Sequence, residues 1–161
     1  MLKYSEISAR YAEYRREQNE YWDHLQKAAY QLLHDLGTAL ELPSKTWKNA
    51  EGSVSGYVDI GLLEGGVFKR VHPMEFKGND LQYDFTIRMT LEEGPDDLSK
   101  AFYFQNISMK AAADRIIVTV KGARRDQDVD VSKSISDGQF HAVVELIAAR
   151  LFDALSLKLP E

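Results

Sequence analysis

The sequence contains no cysteine, which excludes disulfides, thiolate metal ligands and thiol nucleophiles together and favours a reducing compartment. Proline is scarce, and neither proline nor glycine occurs in residues 2–36, so nothing there interrupts a helix. No apolar run approaches the roughly 20 residues that span a bilayer. The start, Met1-Leu2-Lys3-Tyr4-Ser5-Glu6, is not a signal peptide, so no membrane role is expected and a cytoplasmic location is. Basic side chains are outnumbered, 20 Lys and Arg against 25 Asp and Glu, and a net charge of -5 disfavours binding to nucleic acid.

Catalytic and ligand-binding motifs are missing as well. In Gly52-Ser53-Val54-Ser55-Gly56 a valine stands where a nucleophile elbow needs its serine. Gly61, Gly65 and Gly66 are not followed by the Lys-Ser/Thr pair of a phosphate-cradling loop, and a hairpin turn accounts for them. Asp126, Asp128 and Asp130 are spaced like the opening of a calcium loop, with Asp137 at its end. Val131, however, occupies the position where the sharp turn requires glycine, so a solvated acidic edge is the expected reading. The four histidines form no His-x-x-x-His pair, and Glu20 with His24 supplies only two ligands. A fold could still gather Glu20, His24, His72 and Glu75 for acid–base work, but no spacing selects them. No catalytic residue, metal or cofactor is assigned. Arg15-Arg16 and Lys121 with Arg124-Arg125 are the basic clusters, and acids follow each of them closely.

What remains is an ordinary globular composition, 44% hydrophobic and 28% charged, sufficient to bury a core, in a length that suits a single domain over residues 1–161. Tyr4, Ile7, Tyr11, Tyr14, Tyr21 and Trp22, continued by Leu25, Ala29, Leu32 and Leu36, fall on one side at helical period. A helix over residues 2–36 follows, stopped by Gly37, with a connection over 41–53 that Trp47 pins to the body. The pattern then alternates, most clearly at Tyr83, Phe85, Ile87, Met89 and Leu91. Turn signals at Gly65-Gly66, Lys77-Gly78-Asn79-Asp80, Gly94-Pro95-Asp96-Asp97 and residues 111–114 divide this region into strands. The expected strands are 54–63, 67–76, 81–92, 101–109 and 115–122, a five-stranded antiparallel meander. Val129 and Val131 offer a short sixth strand. In the fourth strand the apolar phase switches near Asn106, which reads as a bulge. Ser136 and Gln139 open a capping box for a helix over 137–157, whose stripe includes Phe140, Val144, Ile147 and Leu151. The fold class is α+β, with both helices packed on one sheet face.

A helix of this length, about 50 Å, outreaches a five-stranded sheet about 20–25 Å wide. The half that overhangs is aromatic, and tyrosine and tryptophan bury large areas at interfaces at low rotamer cost. The leading expectation is a non-enzymatic protein-binding module in the manner of an inhibitor, immunity protein, adaptor or chaperone. It would bind itself as a homodimer or another protein through Tyr4, Tyr11, Tyr14, Arg15, Tyr21 and Trp22. Trp22→Ala would then weaken assembly without unfolding the domain. The opposite sheet face is a second candidate, carrying Tyr57, Tyr103, Ile107 and Ile117 among Asp59, Thr86, Arg88 and Lys121. The alternative function is a small-ligand-binding protein or enzyme with a pocket between helices and sheet. It would be lined by Trp22, Tyr57, Phe85 and Tyr103, with Arg88 or His72 as polar handles.

Overall fold

The computed structural model describes residues 1–72, 81–94, 99–156 and 160. The expected turns at 77–80 and 95–97, the far part of the second strand at 73–76, Glu75 and helix position 157 lie outside those residues.

Helix α1 runs Tyr4–Ala39. It does not stop at Gly37, because Leu40 one turn after Leu36 also packs on the core and carries the helix past the glycine. The chain leaves the helix at Glu41, which takes the left-handed conformation at φ 49. A small hairpin follows, β1 Thr46–Lys48 with β2 Val54–Gly56, closed by Asn49, whose Oδ1 accepts from the Glu51 and Ser53 amides.

The main sheet is formed by β3 Val58–Glu64, β4 Val67–Arg70, β5 Tyr83–Leu91, β6 Ala101–Ala111, β7 Arg115–Val120 and β8 Gln127–Ser132. The α+β class and the antiparallel pairing are as the alternation indicated, and the sixth strand is a full member. The order β4-β3-β5-β6-β7-β8 departs from a simple meander at one step, since β5 lies on the far side of β3 from β4. Burial explains this. β5 is covered along most of its length and takes an inner position, whereas short, largely exposed β4 carries Lys69 and Arg70 and suits an edge. The chain between them touches α1 at both described ends: His72 packs on and hydrogen-bonds Tyr30, and the Tyr21 hydroxyl donates to Leu81 O at 2.6 Å. The expected strand 54–63 is also split, into β2 and β3, at Tyr57.

Helix α2, His141–Ala154, begins later than the expected 137, and with the second half of α1 it covers one face of this sheet. Leu25, Ala28, Leu32 and Leu36 of α1 meet Tyr83, Ile87, Met109, Val118 and Ile147 in a single buried cluster. Only half of the expected capping box forms: Gln139 Oε1 accepts from the Ser136 amide at 3.2 Å. The turn leading into α2 is held instead from α1, where buried Asp35 accepts from the amides of Gly138 and Phe140, each at 3.0 Å.

Burial raises the phenol pKa of Tyr83 above its ordinary 10.0, with a further contribution from nearby Tyr30. The folded chain therefore keeps a proton that the unfolded chain releases, and stability falls as pH rises past 10. Melting temperatures between about pH 9 and about pH 11 should decline less steeply in Tyr83→Phe than in the parent. Equal slopes would assign the loss to other groups.

Candidate functional site

The first half of α1 stands clear of the body. Residues 1–17 are all exposed, and the first buried side chain is Leu25. Tyr4, Ile7, Tyr11 and Tyr14 are 84%, 54%, 62% and 50% exposed, values that rule out an ordinary core role for this stripe. Their spacing alternates three and four residues and continues without a break through Gln18, Tyr21, Leu25, Ala28 and Leu32. This is the 3.5-residue seam of a coiled coil. One seam thus packs on the sheet in its second half and lies bare in its first. Gln18, in the bare half, donates to the Tyr14 hydroxyl at 2.8 Å and accepts from Arg15 at 3.2 Å.

The expected contact set divides accordingly. Tyr4, Tyr11, Tyr14 and Arg15 belong to the free half, whereas Tyr21 and Trp22 root the helix in the body. The Tyr21 hydroxyl also accepts from the Ala111 amide at 3.0 Å, and the Trp22 ring lies 6.5 Å from that of Tyr83. Removing Trp22 would therefore disturb the domain itself, so it is a poor probe of assembly.

The sheet face away from the helices has its own aromatic cluster. The β5–β6 register runs evenly from Tyr83↔Met109 to Leu91↔Ala101, so no residue bulges out at Asn106. Phe102 and Phe104 instead point to this outer face, with Ile107 and Met109 in the core. The phase switch seen in the sequence is a change of partner face. The Arg88 guanidinium lies between Phe68 and Phe102, at 4.9 and 4.7 Å from the ring centroids, and pairs with Asp59 at 2.7 Å. Phe68 can lean across β3 because Gly61 leaves the space open: a Cβ there would sit 2.9 Å from the Phe68 ring. Trp47 closes the end of the cluster, as expected of it, donating to Thr90 Oγ1 at 3.2 Å and stacking near Phe102.

Asp59 is 4% exposed and depends on Arg88, since its other cation, Arg70, is 3.6 Å away and open to water. Arg88→Ala should cost about 2 kcal/mol in urea denaturation, reduced from the usual penalty for stranding a buried charge because Arg70 remains. Adding Asp59→Asn should recover part of that loss. No loss at all would mean that the pair is not structural.

Tyr57, Arg88 and Tyr103 are not brought together. Tyr103 pairs with Met89 on the helix-covered face, Arg88 lies on the outer face, and the Tyr57 hydroxyl donates to Glu92 at 3.0 Å. Burial, reinforced by that carboxylate, raises the Tyr57 pKa. Ile107 is core and Ile117 is half-buried on β7. The calcium-like acids are used singly: Asp128 by Thr119, Asp130 by Arg115 and Asp126 by the Gly122 amide. Among the described residues no three His, Asp or Glu side chains are placed to hold a metal ion, and no helix is long and apolar enough to cross a membrane. His72 packs on Tyr30, and the buried His24 Nε2 has no hydrogen-bond partner among the described residues. No protein-family model, curated protein or solved structure matches the chain.

Proposed function

We propose that the chain is a non-enzymatic protein-binding module that associates with a second copy of itself through the free half of α1. The observation that carries this reading is a seam continuous from bare Tyr4 to buried Leu32. A helix of about 17 residues without tertiary support is only marginally stable in water. A partner on the seam supplies what the sheet supplies further along.

The seam also constrains the geometry of pairing. A parallel partner would carry its own residues beyond Tyr21 into the space held by this domain's sheet, because the same seam turns onto that sheet at Leu25. An antiparallel partner avoids the collision and puts the two bodies at opposite ends. The 3-4 spacing then places Tyr11 opposite the second copy's Tyr14, Ile7 opposite its Gln18 and Tyr4 opposite its Tyr21. Arg10 and the second copy's Glu17 flank the central layer with opposite charges.

Because the chain has no cysteine, introduced thiols report this register directly. An oxidised mixture of Ile7→Cys and Gln18→Cys chains should give a linked dimer. Either variant alone should give little, since like positions lie about 16 Å apart along the axis. Linkage of Gln18→Cys to itself would indicate parallel pairing, and no linkage in any combination would contradict self-association.

A further inference from the structure

Strand β7 is much shorter than β6. Its last rung is the Lys121 amide on Asn106 O at 3.1 Å, after which the chain turns away. Residues 101–105 of β6 are paired to β5 and have no strand on their other side among the described residues. In a strand, the N–H and C=O of one residue point the same way and those of its neighbours point the opposite way. Phe104 and Phe102 therefore aim their backbone groups in the same direction as Asn106, at the empty seat. The other side of the sheet agrees: Thr90, opposite Phe102, donates its amide to Tyr57 O and so faces away from β6.

The sequence of this edge is unusual for one left open. The outermost strands carry charges that discourage pairing, Lys69 and Arg70 on β4, Asp128 and Asp130 on β8. The uncovered run Ala101-Phe102-Tyr103-Phe104-Gln105 carries neither charge nor proline, and Phe102 and Phe104 are 44% and 38% exposed. Its second part, Tyr103-Phe104-Gln105, lines an open cleft of about 670 Å³ with the loop after β7 and the end of α2. Lys121, Arg124, Arg125 and Arg150 line that cleft against the single acid Asp153. None of the four has a carboxylate within ion-pair distance among the described residues, although the chain as a whole is acidic. The loop is held in place: Arg150 donates to Val120 O at 3.1 Å, and a Cβ on Gly122 would meet Arg125 O at 2.5 Å.

We infer that this edge seats an extended acidic segment of another protein, added as a strand in line with β7. Main-chain hydrogen bonds to Phe102 and Phe104 supply affinity. Alternate side chains of the incoming segment face the two phenylalanine rings on one side and the cleft with Arg150 on the other, and the four cations select acids for the rim. This site is independent of the α1 seam.

The test uses a fluorescein-labelled peptide of alternating glutamate and valine, about eight residues long to cover the edge and its flanks. Fluorescence anisotropy should show binding that Arg124→Glu with Arg125→Glu weakens at least about tenfold. Phe104→Pro removes the ring and the outward-facing donor and should abolish binding, whereas Phe104→Ala, which removes the ring but keeps the amide, should bind detectably. Should the proline variant not fold, hydrogen exchange on the parent chain decides: the Phe102 and Phe104 amides should slow when peptide is added. Unchanged exchange, indifference to the charge reversal, or tighter binding of oligothymidylate than of the acidic peptide would each overturn the inference. Protection of the same amides that grows with protein concentration alone would overturn it in favour of edge-to-edge self-pairing.

Discussion

Replacing Asp35 with alanine lowers the unfolding free energy by about 2 kcal/mol. The carboxylate is 6% exposed and accepts three hydrogen bonds, from Gln31 Nε2 and from the amides of Gly138 and Phe140. The two amides belong to the turn that leads into α2, whose N-cap, Phe140, has no side-chain acceptor to offer. Alanine strands the buried Phe140 amide at about 1–3 kcal/mol, whereas the amide of exposed Gly138 can turn to water, and the loss is partly offset by removing a buried carboxylate that would otherwise need desolvation. Asparagine keeps one acceptor and should recover roughly half of the loss. Urea denaturation measures these differences, and amide exchange should show α2 opening before α1 in the alanine variant. A loss below about 1 kcal/mol would mean that water replaces the carboxylate and that the helices do not depend on this tie.

Deleting residues 1–19 should have the opposite profile: assembly is lost and the fold is kept. Every side chain in 1–17 is exposed, so the truncated chain gives up almost no core area, and its melting temperature should stay within about 2 °C of that of dissociated parent chain. The core contacts of α1 begin with Tyr21 and Trp22 and run through Leu36, all of which remain. The parent chain at high concentration should melt higher than the truncated one, because pairing stabilises the folded state by mass action. Unfolding of the truncated chain at room temperature would show that the free half supports the body, contrary to the exposure of its side chains.

The long helix and the half-buried strands were legible because local period reports burial directly, and α1 and β5 are the clearest cases. Gly37 misled because a stop signal is only local, whereas Leu40 packs on the distant sheet and extends the helix by a turn. The order of β4 and β5 was not legible, since antiparallel strands of either order share one alternation pattern. Of the contact residues, the bare stripe could be read in full, and its three-four spacing distinguishes a coiled-coil seam from a general amphipathic face. What sequence could not say was where the sheet would end, and so that Tyr21 and Trp22 would be roots of the helix. Asp35 was readable only as an anomaly, an acid between Leu32 and Leu36, because its amide partners lie more than 100 residues away. The open edge of β6 depends on Arg150 holding the loop after Val120, a contact between residues 30 apart that no local pattern encodes.

The most direct test is light scattering after size exclusion on the parent chain and on Tyr11→Ala, Tyr14→Ala, with circular dichroism and melting to verify the fold. Antiparallel seam pairing predicts twice the chain mass for the parent and one chain mass for the variant, with matching spectra. A parent that stays at one chain mass at every concentration, or a variant that remains dimeric, would contradict self-association through α1.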